Sequence, residues 1–135
     1  MFESKETLHQ FITNVSNYTK VGGYFIGTCY DGVTIYKKLK ENPKLELWKN
    51  SQKIWHIKSK YDDDTDEFLN GTEQCIGYKI SVYQESINKE FDEYLVHFDY
   101  FVKIMNDYGF VVDTEHMGGI DSFESLYNEM QQKSK

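Results

Sequence analysis

The sequence predicts an α/β fold organised as a single domain, and three observations support this prediction. A helical apolar stripe is followed directly by a glycine pair and a short apolar run, which is the order of an α/β unit. Later segments alternate apolar and polar residues, as strands do. Hydrophobic residues make up 39% and aromatic residues 16% of the 135 positions, a composition typical of a folded chain of one domain at most.

The first unit is a helix over residues 4–20 followed by a strand over residues 24–29. Apolar side chains in the helix recur at the i, i+3, i+4 and i+7 spacing of one stripe. They are Leu8, Phe11, Ile12 and Val15. The pair Gly22-Gly23 ends the helix, and the nearly continuous apolar run after it is typical of a central strand covered on both faces.

The middle of the chain predicts a short helix and an antiparallel part. Residues 33–40 have helical spacing, with Ile35, Tyr36 and Leu39 on the inner side and Pro43 beyond the end. Residues 45–48 and 53–60 alternate apolar and polar side chains around the turn Asn50-Ser51, which predicts a hairpin. A third strand is predicted over residues 75–83.

The last third of the chain returns to helical spacing. A helix is predicted over residues 91–108 with Gly109 as its stop, and a strand over residues 110–113. Asp121 is the predicted cap of a final helix. The apolar positions of that helix are Phe123, Leu126, Tyr127 and Met130.

Charge and apolar content exclude several classes of protein. The net charge is −7 and all fifteen basic residues are lysines, which argues against a DNA-binding surface built of arginine forks and limits any RNA contact to a local one. The chain has neither an apolar run of about 18 residues nor a secretion signal. A soluble intracellular protein without a membrane partner is predicted.

Familiar site motifs are absent from the sequence. The acidic run at residues 62–67 is similar to a calcium loop, but Glu67 stands where that loop requires glycine, so a solvated loop is predicted. The four histidines lack metal-ligand spacing, and no GxSxG, Walker or GxGxxG motif occurs. Cys29 and Cys75 are predicted as buried free thiols, with a disulfide or metal site as alternatives. No metal site is predicted.

Three segments, read in order, resemble the mRNA cap guanine-N7 methyltransferase family. The sequence GGYFIGTCYD at residues 22–31 is similar to the family's GGYFIGT strand and the loop that follows. The sequence DEYLVHF at residues 92–98 resembles the family's PEYLV stretch, with Asp92 in place of proline. The sequence FESLY at residues 123–127 is similar to a late F-x-x-F-Y pattern. The wording is most similar to versions in giant DNA viruses, where the domain belongs to a larger capping enzyme.

The resemblance implies a fold and a reaction. The fold is the C-terminal portion of a Rossmann-like S-adenosylmethionine-dependent methyltransferase with an antiparallel insertion, so residues 1–135 form one incomplete domain. The reaction transfers the methyl group of S-adenosylmethionine in line to N7 of the guanosine cap of mRNA. Catalysis then depends on positioning and electrostatics, and no residue is assigned as a catalytic acid or base.

The resemblance also implies three cap-binding residues. Glu93 accepts hydrogen bonds from guanine N1–H and the exocyclic amine; the alternative is a solvent-exposed carboxylate in a first helical turn. Tyr127 lines the cap pocket, or else packs in the core with Phe123 and Met130. Tyr30 contacts the guanine or its ribose. His97 is not assigned to the site.

The cofactor-binding half of the family precedes the part represented here, so no residue is assigned to S-adenosylmethionine. The chain is therefore expected to be inactive alone and to expose apolar surface. Its expected partners are the capped 5′ end of mRNA and the missing N-terminal half or other capping-enzyme domains, in host cytoplasm or virion if the protein is viral. The alternatives are a non-catalytic methyltransferase-like subunit that docks on and stimulates a capping enzyme, and an α/β fragment without activity of its own.

Overall fold

The computed structural model describes residues 1–114 and 123–133, and the predicted cap Asp121 lies outside these ranges. The helices are α1 Lys5–Tyr18, α2 Gly32–Glu41, α3 Phe98–Asp107 and α4 Phe123–Lys133. The strands are β1 Lys44–Lys49, β2 Gln52–Ser59, β3 Lys79–Gln84 and β4 Lys89–Tyr94. Two short 3₁₀ turns, Glu67–Asn70 and Glu73–Cys75, separate β2 from β3. Helices combined with an antiparallel sheet confirm the predicted α/β class.

Helix α1 confirms the first predicted helix and shows why it starts where it does. The Ser4 hydroxyl accepts a hydrogen bond from the Thr7 backbone N–H at 3.2 Å, and the Thr7 hydroxyl accepts one from the Ser4 N–H at 3.1 Å. This reciprocal capping satisfies two of the free donors at the helix start. Leu8 and Ile12 are fully buried, so the predicted stripe faces the core. None of the helices in the described ranges is long and apolar enough to span a bilayer.

The sheet is an antiparallel meander in the order β1-β2-β3-β4. The predicted hairpin is confirmed, because β1 and β2 pair antiparallel on either side of Asn50 and Ser51. Both turn residues have positive φ (50° and 63°). Such a turn matches the twist of the paired strands. The third strand begins at Lys79 rather than at residue 75, since Cys75 ends a 3₁₀ turn and Gly77 has a φ of +92°.

The register gives the sheet an inner and an outer face. The pairs Val82↔Phe91 and Ile80↔Glu93 share one face, because side chains alternate along each strand. Ile80 and Val82 are fully buried, so this inner face packs on the core. On β2, β3 and β4 the outer face carries mainly polar side chains. They include His56, Lys58, Ser81, Tyr83, Glu90 and Asp92.

The predicted buried strand at residues 24–29 is wrong for the described structure. This segment has no regular secondary structure, and Tyr24 and Ile26 are 62% and 75% exposed. A central strand needs neighbours on both edges, whereas the four strands of the described sheet pair only with one another. Phe25 alone packs inward, with its ring edge-on to Phe11 and Phe101.

The predicted helix over residues 91–108 is correct only in its second half. Residues 89–94 form β4, and α3 begins at Phe98 after the N-cap His97. Pairing with β3 overrides helical spacing at the N-terminal end, because it places Phe91 against the core. Gly109 ends α3 with a φ of +88°, as predicted. The predicted strand at residues 110–113 does not form, and Val111 is 83% exposed.

The acidic run at residues 62–67 is not simply a solvated loop. The phenols of Tyr36 and Tyr78 each donate a hydrogen bond to the Asp63 carboxylate at 2.8 Å. Desolvation opposes ionisation of Asp63, but these bonds and those from Thr65 hold its pKa well below the usual range. Asp63 therefore ties the loop to α2 and to Tyr78, the residue that precedes β3. Cys75 is buried and free as predicted, whereas Cys29 is free but exposed.

Candidate functional site

The inner face of the sheet carries one carboxylate among apolar side chains. Glu93 lies opposite Ile80 on β3 and two positions from Phe91 on its own strand. It is half-buried, and desolvation raises the pKa of its carboxyl above the ordinary value. Within the described ranges it makes no hydrogen bond and no ion pair. A partly desolvated acid without a partner is costly to the fold, which is typical of a binding group.

Tyr30 lies on the same face of the sheet as this carboxylate, because its hydroxyl contacts Gln84, an inner-face residue of β3. Desolvation raises the pKa of the Tyr30 phenol, and the negative charge of Glu93 raises it further. The phenol oxygen accepts a hydrogen bond from the Gln84 amide at 2.8 Å. That contact leaves the phenol proton free to donate to a ligand. Together the two side chains offer a ligand one negatively charged hydrogen-bond acceptor and one neutral donor.

A close backbone approach explains why these two sequence segments meet. The Gly32 N–H donates to the Val96 carbonyl at 3.2 Å. A Cβ at residue 32 would lie only 2.3 Å from that oxygen, so only glycine permits the approach. The start of α2 is thereby held against the chain just after β4. The GGYFIGTCYD and DEYLVHF segments are thus held next to each other.

A cleft of about 400 Å³ opens next to Tyr30 on the same face of the sheet. It lies where β2 begins and β3 ends. Its walls are Tyr30, Ile54, Trp55, Ile57, Val82, Gln84, Glu85 and Ser86. Alternation along β2 puts Trp55 and Ile57 on one face, but nothing in the strand pattern shows that a cleft forms over them.

Tyr127, the third predicted residue, is not joined to this pair in the described structure. It is 61% exposed on α4, and its oxygen accepts a hydrogen bond from the Gln131 amide at 2.9 Å. It has no hydrogen bond or ring contact with Tyr30 or Glu93. Met130 on the same helix is 67% exposed, so the alternative of core packing is not realised at these two positions.

Three of the four histidines have structural contacts, and His116 lies outside the described residues. His97 caps α3 by accepting a hydrogen bond from the Tyr100 N–H at 3.4 Å, and its ring packs on Phe68. His9 hydrogen-bonds the Tyr108 hydroxyl at 3.1 Å. The described residues contain no cluster of three or more potential metal ligands.

Glu90, also on β4 but on the outer face, was not singled out by the sequence. Its carboxylate accepts a hydrogen bond from the Ser81 hydroxyl at 2.5 Å and lies 3.3 Å from His56 Nε2 and 3.6 Å from Lys58 Nζ. The Ser81 bond, followed by the His56 contact, lowers the pKa of Glu90 to about 2. The Glu90 carboxylate is therefore stabilised by contacts within the fold and is a poor candidate for ligand binding.

Comparison with known proteins adds two findings. Residues 1–135 match the family described as the mRNA (guanine-N(7))-methyltransferase domain. Over 107 residues the chain is 32% identical to an mRNA cap guanine-N(7) methyltransferase of Aspergillus niger, covering 79% of this chain and 17% of that relative. The chain therefore spans less than a fifth of the length of the curated relative that it matches. No solved structure matches the chain.

Proposed function

This chain belongs to the mRNA (guanine-N(7))-methyltransferase family, and we propose that it forms the guanine-binding part of a cap methyltransferase. The reaction of the complete enzyme is methyl transfer from S-adenosylmethionine to N7 of the guanosine cap of mRNA. The observation that carries the proposal is the half-buried carboxylate of Glu93, which has no hydrogen-bond or ion-pair partner among the described residues and shares the inner sheet face with Tyr30.

Guanine is the base that this pair fits. Its Watson–Crick edge presents two adjacent donors, N1–H and the exocyclic amine, and an ionised carboxylate accepts both at once. N7 lies on the Hoogsteen edge of the base, away from both donors. Binding through Glu93 therefore leaves N7 exposed to a methyl donor on the other side. Adenine lacks this pair of donors, so the site discriminates against it.

The same contact favours the methyl-transfer step and not only binding. Alkylation of N7 places a positive charge on the purine, and this charge makes N1–H and the amine stronger donors. Their hydrogen bonds to the Glu93 carboxylate strengthen as the charge develops. An interaction that grows towards the transition state lowers the barrier to reaction. Glu93 thus has a role without accepting or donating a proton.

The described residues do not fit a cofactor site. A site for S-adenosylmethionine in this kind of fold needs a glycine-rich loop between a strand and a helix, whereas β4 leads through Leu95 and Val96 to the capping His97. We assign no residue of this chain to the cofactor. The proposal places the cofactor in a different segment of the enzyme, so the 135 residues form one part of a methyltransferase domain.

The Rossmann-like fold belongs to the same proposal. Residues 24–29 retain the apolar run of a central strand, yet they are largely exposed in the described structure. Parallel neighbours from the cofactor-binding segment would cover this run and add it to a larger sheet. The sequence is rich in lysine, asparagine and tyrosine, and this composition supports a viral origin for the chain.

Calorimetry with the purified chain tests the proposal. We expect the unmethylated cap dinucleotide GpppA to bind the wild-type chain, the Glu93→Ala variant to bind it much more weakly, and the adenine analogue ApppA to bind both proteins equally weakly. S-adenosylmethionine is titrated separately and should not bind. Equal affinity of GpppA for the wild type and for Glu93→Ala would reject the assignment of Glu93 as the guanine acceptor.

Exposed apolar residues also fit the second candidate, a non-catalytic subunit that docks on a capping enzyme. Val21, Tyr24 and Ile26 are all more than half exposed, as expected of a surface that another polypeptide covers. Co-expression with a segment that carries the cofactor site distinguishes the two candidates. If Glu93→Ala abolishes methylation in the reconstituted complex, the chain supplies the cap site; if stimulation persists in the variant, the chain only docks.

A further inference from the structure

The cleft beside Tyr30 is distinct from the guanine contact, because Glu93 is not among the residues that form its walls. Trp55 forms part of its wall, is half-buried and does not pack against the core cluster. In the part of the chain that the structure describes, the indole N–H has no hydrogen-bond partner and the ring has no aromatic neighbour. A flat aromatic surface that is open to a cleft and unused by the fold is suited to stacking a planar ligand.

Polar groups at the cleft favour a nucleotide over an apolar ligand. Gln84 donates to Tyr30 but keeps its amide oxygen and a second N–H for a base edge. Lys89 pairs with Gln84 across β3 and β4, lies on the same face and has no ion-pair partner among the described residues. Its ammonium is therefore available to a phosphate. The acidic residue at the rim, Glu85, is engaged by the Gln52 amide at 3.0 Å.

The position of the cleft relative to Glu93 matches the length of a cap. Trp55 pairs with Gln84, and Glu93 pairs with Ile80, so the two residues are four positions apart along β3 and one strand to either side of it. Strand rise and spacing give a separation of about 16 Å. Two bases joined by an extended 5′-5′ triphosphate bridge can reach both positions.

We propose that the Trp55 cleft binds the base of the nucleotide that follows the cap guanosine. The inference rests on the proposed function, because it takes the guanine to be held by Glu93. The chain thereby binds the guanine and the first transcribed base at two sites on one sheet face, and the triphosphate bridge spans the distance between them. Stacking accepts any base, so the cleft increases affinity with little sequence preference.

The two tryptophans of the chain provide a matched test. Trp48 lies on the outer face and is 53% exposed. A Trp48→Phe variant leaves Trp55 as the sole indole reporter, and Trp55→Leu with Trp48 retained is its counterpart. Each is titrated with GTP, which has the guanine and three phosphates, and with GpppA, which adds the second base. Thermal melts confirm that both variants are folded.

The expected result is that GpppA binds Trp48→Phe about 5- to 150-fold more tightly than GTP, the range that one stacked base supplies. GpppA quenches the Trp55 emission and GTP does not, and Trp55→Leu reduces the affinity ratio to about one. A ratio that persists in Trp55→Leu, or equal binding of the two ligands to Trp48→Phe, overturns the cleft assignment alone. Failure of both ligands to bind the wild-type chain overturns the proposed function itself.

Discussion

Two glutamates three residues apart on β4 differ in the sheet face they occupy, in their partners and in the direction in which their pKa is shifted. Glu90 on the outer face has a serine, a histidine and a lysine around it, and these partners lower its pKa to about 2. Glu93 on the inner face has no such partner, and desolvation raises its pKa. The fold satisfies the first acid and leaves the second unsatisfied. A carboxylate that destabilises its own fold is the better candidate for contact with a ligand.

The largest expected effect comes from breaking the approach that brings Tyr30 to the inner face. In Gly32→Ala the new methyl group meets the Val96 carbonyl at 2.3 Å, so the start of α2 must move. We expect a loss of about 3 kcal/mol in the free energy of unfolding and loss of cap binding. Alanine is otherwise a better helix former than glycine, so any loss reports the close contact. Urea denaturation measures it.

Gly27→Ala is the matched control for this substitution. An added Cβ at residue 27 meets only the Phe25 ring, at 3.4 Å, and Gly27 does not have a positive φ. Its effect on unfolding should stay within about 0.5 kcal/mol. Equal stability of the Gly32→Ala and Gly27→Ala proteins would show that the two sequence segments are not held together by this approach.

The second largest effect follows from removing the inner-face charge. Glu93→Gln keeps the shape of the side chain but offers guanine only one acceptor atom, so GpppA affinity should fall at least about 30-fold. Stability should change in the opposite direction, with a gain on the order of 1 kcal/mol, because a partly buried charge is removed. Calorimetry and urea denaturation of one preparation measure both quantities. A variant that loses both affinity and stability would contradict a binding role.

The sequence predicted some parts of this site and not others, for physical reasons. Helical spacing located α1 and α2, because each has one apolar stripe against the core and a clear cap. The same spacing misassigned residues 91–94, since Phe91 serves a strand face as well as a helix stripe and only pairing with β3 decides between them. Glu93 was assigned by family resemblance alone, and its role stays a prediction. Local patterns do not show which face of an unrecognised strand holds a residue.

Titration with acid should change cap binding through Glu93 without unfolding the protein. Glu93 must be ionised to accept both guanine donors, so cap affinity should fall as pH drops through its raised pKa, by up to tenfold per pH unit below it. The protein should stay folded over this range. Ionised Glu93 destabilises the fold at pH values above its unfolded-state pKa, and protonation removes that destabilisation. Calorimetry from pH 4 to 8 beside far-UV circular dichroism tests this order. The affinity of Glu93→Gln should be flat over the same range.

The smallest effect belongs to the outer face and completes the comparison. Glu90→Gln keeps a hydrogen-bond partner for Ser81 but loses the charge that faces His56 and Lys58. The free energy of unfolding should therefore fall by about 1 kcal/mol. The effect is modest because the side chain is about half exposed. Because the pKa of Glu90 is lower in the folded than in the unfolded chain, Glu90 stabilises the fold at pH values above its unfolded-state pKa. This stabilisation is lost as pH falls towards 2. Wild type and variant should therefore converge in stability at acid pH, while GpppA affinity at neutral pH stays the same. If Glu90→Gln weakened cap binding as much as Glu93→Gln, the assignment of opposite roles to the two faces of β4 would be wrong.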